Sequence, residues 1–265
     1  MELITSRAND NVKLYRRLSS SRRARSDKRL FPLEGIRIIS DAYHEKAEIE
    51  RLFLSESFVS RNKEISEEIS ASAKKAYLVS DDTARYMSST EETQGILALC
   101  RMKEDRDISQ IVHHGGIYVM LSGLQDPGNM GTIIRTADAV GIGGIICCGC
   151  CDIYNPKTLR AAMGSIMRIP FGICSREEAF ECFAENGIRT YASVIDSDAV
   201  SVSECAFGGG AAVLIGNEGS GLSEDDVMRC DERITIRMHG SIDSLNAAMA
   251  AGIIMWEMSK RHTAG

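Results

Sequence analysis

The chain has 265 residues, 44% hydrophobic and 26% charged, a balance that allows one large or two small cored domains and excludes wholesale disorder. Four prolines against 23 glycines exclude Pro-rich linkers and collagen-like repeats. The longest apolar runs, Ala247 to Trp256 and Gly141 to Cys151, fall short of the ~18 residues of a membrane span, and Met1 to Leu18 carries no export signal, so no membrane partner is expected and nine cysteines fit the reducing cytoplasm.

The net charge of -6 is unevenly spread. Residues 1–30 hold nine bases (Arg7, Lys13, Arg16, Arg17, Arg22, Arg23, Arg25, Lys28, Arg29) against three acids, whereas the remaining 235 residues hold 22 bases and 34 acids. A basic arm, 1–28, on an acidic body points to a polyanionic partner held at one end; a merely solvated basic helix stands beside that reading. Glycine marks a second boundary: Gly35 and Gly95 are the only two before residue 115. The alternation of helix over Glu34 to Glu45, strand over Ile49 to Leu54, helix over Asn62 to Lys75, strand over Tyr77 to Ser80, helix over Asp81 to Ser88 and strand over Gly95 to Cys100 predicts a small α/β domain, 29–102. Residues 103–114 read as a linker.

In 115–265, strands are expected at Ile117 to Leu121, Gly144 to Cys148, Arg189 to Ile195, Ala211 to Ile215 and Arg233 to Met238. Helices are expected at Met130 to Val140, Pro156 to Met163, Arg176 to Asn186, Ser223 to Cys230 and Ser244 to Arg261. Continuous apolar strands separated by helices predict an α/β fold with a parallel sheet covered on both faces, whose ligand lies at the carboxyl ends of the strands.

Three loops at such ends carry the functional signal. In the first, Pro127 and Gly128 fit a type II turn and Asn129 a helix cap; Met130, Ile133, Ile134, Ala137 and Val140 form the apolar face, leaving Gly131, Arg135 and Asp138 opposite. Arg135 there could grip a phosphate in bidentate fashion or simply pair with Asp138. The second loop, Gly216-Asn217-Glu218-Gly219-Ser220-Gly221-Leu222, has glycines that let backbone approach a ligand closely. The third, His239 to Asn246, leads into a helix rich in alanine, with Ser244 a possible cap.

NMGTIIRTADAVG, IGNEGSGL and IRMHGSIDSLNAA resemble, in order and spacing, the three motifs of the SpoU/TrmH family of RNA ribose 2′-O-methyltransferases. Ile4-Thr5-Ser6, Asn9, Val12-Lys13, Arg25, Phe31-Pro32-Leu33-Glu34-Gly35-Ile36-Arg37 and Thr93-Gln94-Gly95-Ile96 resemble the RNA-substrate-binding domain often fused to it. The resemblance implies a SPOUT domain whose C-terminal segment forms a trefoil knot, a rare exception to unknotted folds, in a homodimer joined partly by the C-terminal helix. It implies S-adenosylmethionine held at Ile215, Gly216, Gly221, Ile236, Met238 and Leu245, with Asn129, Arg135, Glu218, Ser244 and Asn246 as polar active-site positions. The implied substrate is structured RNA, most often ribosomal, and DNA, lacking the 2′-hydroxyl, is not expected to react. Arg237 stands where the family usually has proline, and Ala247-Ala248 where Val-Ser is common.

Cys147-Cys148-Gly149-Cys150-Cys151 fits no standard zinc spacing and reads as buried thiols, so no metal is expected. Gly141-Ile142-Gly143-Gly144 precedes a strand and lacks the third glycine of a dinucleotide fingerprint. His239 reads as packing or surface. Three readings stand beside the main one: a transfer-RNA 2′-O-methyltransferase, a non-catalytic RNA-binding assembly factor, and a Rossmann oxidoreductase.

Overall fold

The computed structural model describes residues 2–90, 92–103, 107–240 and 242–262; residues 104–106 of the expected linker and Ser241 of the third loop lie outside them. The chain divides into two units: Met1–Lys103 with Tyr154–Met167, and Glu104–Ile153 with Arg168–Gly265.

In the first unit, β1 (Glu2–Ile4) is followed by α1 (Asp10–Ser20) and α2 (Arg22–Lys28). The expected basic arm is therefore folded. Val12, Tyr15 and Leu18, one or two turns apart on α1, are buried with Ala24 of α2 in a core that includes Leu30, Phe53, Tyr77, Val79 and Leu99. The abundance of bases masked this short amphipathic stripe. Asn9 caps α1 by accepting from Asn11 N at 2.8 Å, and Ser21 caps α2 by accepting from Ala24 N at 3.2 Å. Arg25 is only 3% exposed and donates to the Leu18 carbonyl at 2.6 Å, so one of the nine bases is internal scaffolding.

The unit continues through β2 (Leu30–Glu34), α3 (Ile36–His44), β3 (Ile49–Ser55), α4 (Glu56–Arg61), α5 (Lys63–Ser72), β4 (Ala76–Val79), α6 (Asp81–Met87) and β5 (Ile96–Arg101). Its sheet has the order β1-β4-β3-β5-β2. β1, β4 and β3 run parallel, and β5 is antiparallel to both β3 and β2. β1, β2 and α4 carry no clear periodicity of their own and were not expected.

In the second unit, β6 (Ile117–Ser122), α7 (Pro127–Val140) and β7 (Gly144–Cys148) come first. Then α8 (Pro156–Ala162) departs from expectation: it lies in the segment grouped with the first unit, although the motif pattern placed it in 115–265. Within that unit the Tyr154 ring lies 4.7 Å from that of Phe31, Lys103 donates to the Met167 carbonyl at 2.7 Å, and Arg160 to Ser89 Oγ at 3.0 Å. Helical periodicity locates a helix but does not say what it packs against. The second unit resumes with β8 (Phe171–Ile173), α9 (Arg176–Glu185), β9 (Arg189–Ser193), β10 (Val200–Ser201), β11 (Ala211–Ile215), α10 (Glu224–Arg229), β12 (Glu232–Thr235) and α11 (Ala247–His262).

Its seven strands are all parallel in the order β10-β12-β9-β11-β6-β7-β8. Every residue of β6, β7 and β11 is buried, the pattern of strands covered on both faces. β11 pairs with β6 along its length, so the loops leaving their carboxyl ends are neighbours. β12 ends at Thr235, three residues earlier than expected, which releases Ile236, Arg237 and Met238 from the ladder.

Arg25→Ala removes a buried, charge-assisted hydrogen bond and is expected to cost about 1.5–3 kcal/mol in urea unfolding, whereas Arg17→Ala, on the exposed face of α1, should stay within about 0.5 kcal/mol of the parent.

Candidate active site

The three loops meet at the carboxyl edge of the seven-stranded sheet. α7 begins at Pro127, not at the expected Met130, with Asp126 as its cap: Asp126 Oδ1 accepts from Asn129 N at 2.9 Å. Proline at the first helical position has no N–H to leave unsatisfied, so the Pro-Gly pair starts the helix instead of forming a type II turn. Asn129 is thereby freed from capping, and its amide faces the second loop.

That loop closes on itself. Asn217 and Gly221 exchange backbone hydrogen bonds of 3.0 and 2.9 Å, and Asn217 Oδ1 accepts from Gly219 N and Ser220 N at 2.9 and 3.1 Å. A Cβ on Gly216 would meet the Gly221 carbonyl carbon at 2.2 Å, and Gly221 has φ +69°. These two glycines permit the tight closure, and the loop itself fills the space that a side chain at position 216 would take.

Glu218, at the tip, joins the second loop to the first. Its Oε1 accepts from Asp126 N at 2.8 Å and Asn129 Nδ2 at 3.0 Å, and its Oε2 from Gln125 N at 3.0 Å. Burial raises the Glu218 pKa, but these donors outweigh it and hold the carboxyl below its ordinary range. Asn129 Oδ1 in turn accepts from Asn246 Nδ2 at 3.0 Å. Asn246 Oδ1 accepts from Ala248 N and Met249 N at 3.0 and 3.3 Å, so Asn246, not Ser244, caps α11. A carboxylate only accepts and the helix-capping atom must be an oxygen, which fixes the orientation of both amides in this chain. Each –NH2 group retains one N–H not used in these bonds.

Further links tie the first two loops together. Asn217 Nδ2 donates to the Gly123 carbonyl at 3.0 Å. Ser122 Oγ donates to Asp226 Oδ2 at 2.8 Å, and Arg176 Nε lies 3.6 Å from the same oxygen. Asp226 is fully buried and its Oδ1 has no hydrogen-bond partner among the described residues. Asn217, Gln125, Ser122 and Asp226 were missed in the sequence. An Asn opening a Gly-rich turn is a recognisable loop-stabilising signal, but nothing local marks Ser122 and Asp226 as a pair.

Beside this array lies a cavity of about 960 Å³, at the upper end of the size range of small-molecule sites. Ile215, Gly216, Glu218, Gly221, Ile236, Met238, Ser244 and Leu245 all line it. Ile195, Ile242, Met238 and Leu245 leave apolar side chains exposed at 75, 70, 37 and 38%, the surface expected of a pocket for a partly apolar ligand. Glu218 belongs both to this lining and to the amide array, whereas Asn129, Arg135 and Asn246 do not line the cavity. Arg237 and His239 also line it and are exposed.

Arg135 stands on the exposed face of α7 with no ion pair or hydrogen bond among the described residues. Asp138, its suggested partner, pairs with Arg168 at 2.8 Å, and Gly131 is buried rather than sharing Arg135's open face. Cys147 and Cys148 are buried as expected, but Cys150 and Cys151 are half-buried. Among the described residues no group of three or more His, Cys, Asp or Glu side chains is placed to hold a metal.

Residues 116–256 match the SpoU rRNA Methylase family and residues 9–98 the MRM3-like substrate binding domain. Over 97% of the chain and 99% of the relative, it is 27% identical to the 23S rRNA (guanosine(2553)-2'-O)-methyltransferase RlmP of Bacillus subtilis. A 23S rRNA (uridine(2479)-2'-O)-methyltransferase of Streptomyces viridochromogenes is 34% identical over 64% of this chain and 61% of its own length. The AdoMet-bound rRNA methyltransferase of Sinorhizobium meliloti superposes with a TM-score of 0.88 at 28% identity, covering 98% of each chain. AviRb from Streptomyces viridochromogenes in complex with AdoMet gives 0.85 at 26%, covering 97% of this chain and 99% of that one.

With its pKa depressed in the folded state, Glu218 contributes stability above the ordinary carboxylate range and loses it as pH falls through the lowered value. Glu218→Gln is expected to lower urea stability near neutral pH by about 1 kcal/mol after solvent screening. The gap from the parent should shrink on acidification, as followed by urea titration at several pH values.

Proposed function

The chain belongs to the SpoU rRNA Methylase family and is an S-adenosylmethionine-dependent RNA ribose 2′-O-methyltransferase, and we propose that it modifies large-subunit ribosomal RNA through the array centred on Glu218. The observation that carries this reading is the double membership of Glu218, which lines the cavity and also orders Asn129 and Asn246 beside it. The fit to the cofactor rests on the cavity's volume, its lining by the segments that follow β9, β11 and β12, and its exposed apolar side chains. Ile215, Gly216, Gly221, Ile236, Met238 and Leu245 would hold it. When bound, S-adenosylmethionine supplies a methyl group already electrophilic on its sulfonium sulfur.

The protein's remaining task is to place a ribose hydroxyl in line and give its proton a route out, and positioning of this kind can be worth ~7–11 kcal/mol. A guanidinium offers five N–H donors and no acceptor, so Arg135 acts as a donor and not as a free base. It grips the phosphate next to the target ribose through two N–H groups and polarises the 2′-hydroxyl, and the proton passes to that phosphate or to water. The uncommitted N–H groups of Asn129 and Asn246 and the Ser244 hydroxyl orient the ribose. Glu218 acts by fixing Asn129.

The chain works as a homodimer in this reading. Met249, Ile253 and Trp256 stand at i, i+4 and i+7 on α11 and remain 60, 37 and 55% exposed, while Ala248, Ala251, Ile254, Met255 and Met258 face inward. A second copy of the chain covers the outer stripe. The trefoil knot belongs to the same reading, supported by the way the chain passes from β12 through the cavity-lining loop to lay α11 against α7. Nine free cysteines fit a cytoplasmic location, and no described helix is long and apolar enough to cross a membrane.

Transfer of a radiolabelled methyl to ribosomal RNA tests the reaction, and RNA lacking 2′-hydroxyls should accept none. Arg135→Lys keeps the charge but not the fork, and is expected to lower turnover by about 10²-fold with S-adenosylmethionine affinity unchanged. Near-normal turnover would remove the bidentate role. Trp256→Lys is expected to shift the sedimenting species from dimer to monomer.

A further inference from the structure

The cations of the first unit are not equivalent. Arg25 is internal, Lys13 lies 3.9 Å from Asp10, Arg23 lies 3.8 Å from Asp27, and Arg85 pairs with Asp82 at 3.0 Å. Arg7, in the turn after β1, and Arg16, on α1, are different. Both guanidinium carbons sit over one ring, that of Tyr86 on α6, at 4.9 and 4.7 Å from its centroid. Arg16 Nη1 also donates to the Tyr86 carbonyl at 2.9 Å. Tyr86 is 37% exposed, both arginines are exposed, and neither pairs with a carboxylate among the described residues.

Two cations gathered on one aromatic ring lie within about a Debye length (~8–10 Å) of each other and repel. An exposed cation–π contact is weak and offsets this only in part. The arrangement is completed by an anion that both cations share. Guanidinium forks match phosphate oxygens in bidentate geometry.

We infer that Arg7, Arg16 and Tyr86 form a phosphodiester clamp for the RNA strand, with the ring holding the two guanidinium groups at a fixed spacing. This rests on the reading that ribosomal RNA is the substrate, and it names the residues of the first unit that hold it. Two properties follow. Binding through the clamp is insensitive to base sequence, because phosphates carry none, and it weakens with salt, because each neutralised phosphate releases counterions.

The test is fluorescence anisotropy of the full-length chain with a labelled oligouridylate and with transcribed 23S ribosomal RNA, across a salt series. Arg7→Gln/Arg16→Gln is expected to weaken both about tenfold and to reduce the logarithmic salt slope by about 1.4, the value for two single-strand phosphate contacts. S-adenosylmethionine affinity by calorimetry should not change. Arg7→Lys/Arg16→Lys should restore most of the salt slope, and Tyr86→Leu should weaken binding while leaving both charges in place. These two variants decide the matter should the glutamine pair fail to fold. Unchanged affinity and slope in the variants overturn the clamp, as does equal competition by polyglutamate at matched charge. The parent's methyl transfer is scored separately: loss of RNA binding in the variants alongside a parent that does not methylate ribosomal RNA would uphold the clamp and reject the substrate.

Discussion

A single carboxylate organises the carboxyl edge of the seven-stranded sheet. Glu218 accepts three hydrogen bonds from the loop that follows β6 and the start of α7, and so binds together two loops that leave neighbouring strands. From it the order propagates through Asn129 to Asn246 and on to the N-terminus of α11. Each amide is bonded at both its oxygen and its nitrogen, so neither can rotate without breaking a bond at its other end. The array thus links all three motif loops without any covalent bridge. Protonation of Glu218 would loosen its hold on the loop after β6 and on Asn129 at once.

The parallel sheet makes that link possible. β6 and β11 pair over their whole length, which brings their exits together, and the early end of β12 releases Ile236 to Met238 to wall the cavity. Behind the loops, the Ser122–Asp226 bond repeats the Glu218 link in buried form. One side faces a cavity and the other is sealed, so the β11 loop is anchored at its tip and again at the start of α10. Preorganisation of this kind suits a reaction whose chemistry needs placement more than activation.

Much of the second unit was legible because buried parallel strands write themselves as unbroken apolar runs, as in Ile117 to Leu121 and Ala211 to Ile215. The motif loops were legible because their polar residues sit at fixed offsets from glycine. The errors have common causes. Asn129 and Ser244 are both plausible caps, but Asp126 and Asn246 hold those places, since capping depends on where the helix starts and boundaries are the least certain part of a sequence reading. The basic segment hid α1 because Val12, Tyr15 and Leu18 are few among nine bases. Arg135 and Asp138, a natural pair by spacing, are separated by a third residue, Arg168, that arrives from another part of the chain.

The excursion through α8 has a consequence for how this molecule can be inherited or dismantled. Tyr154–Met167 leaves the unit that carries the motifs, belongs to the other and comes back, so no single break in the polypeptide yields two intact halves. A cleavage near residue 104 would leave Leu159 and Ile166, now sealed, dangling from the piece that carries the motifs. Recombination that swaps one half for another must therefore cross the gene at three places, or carry this short insert along with the partner it fits.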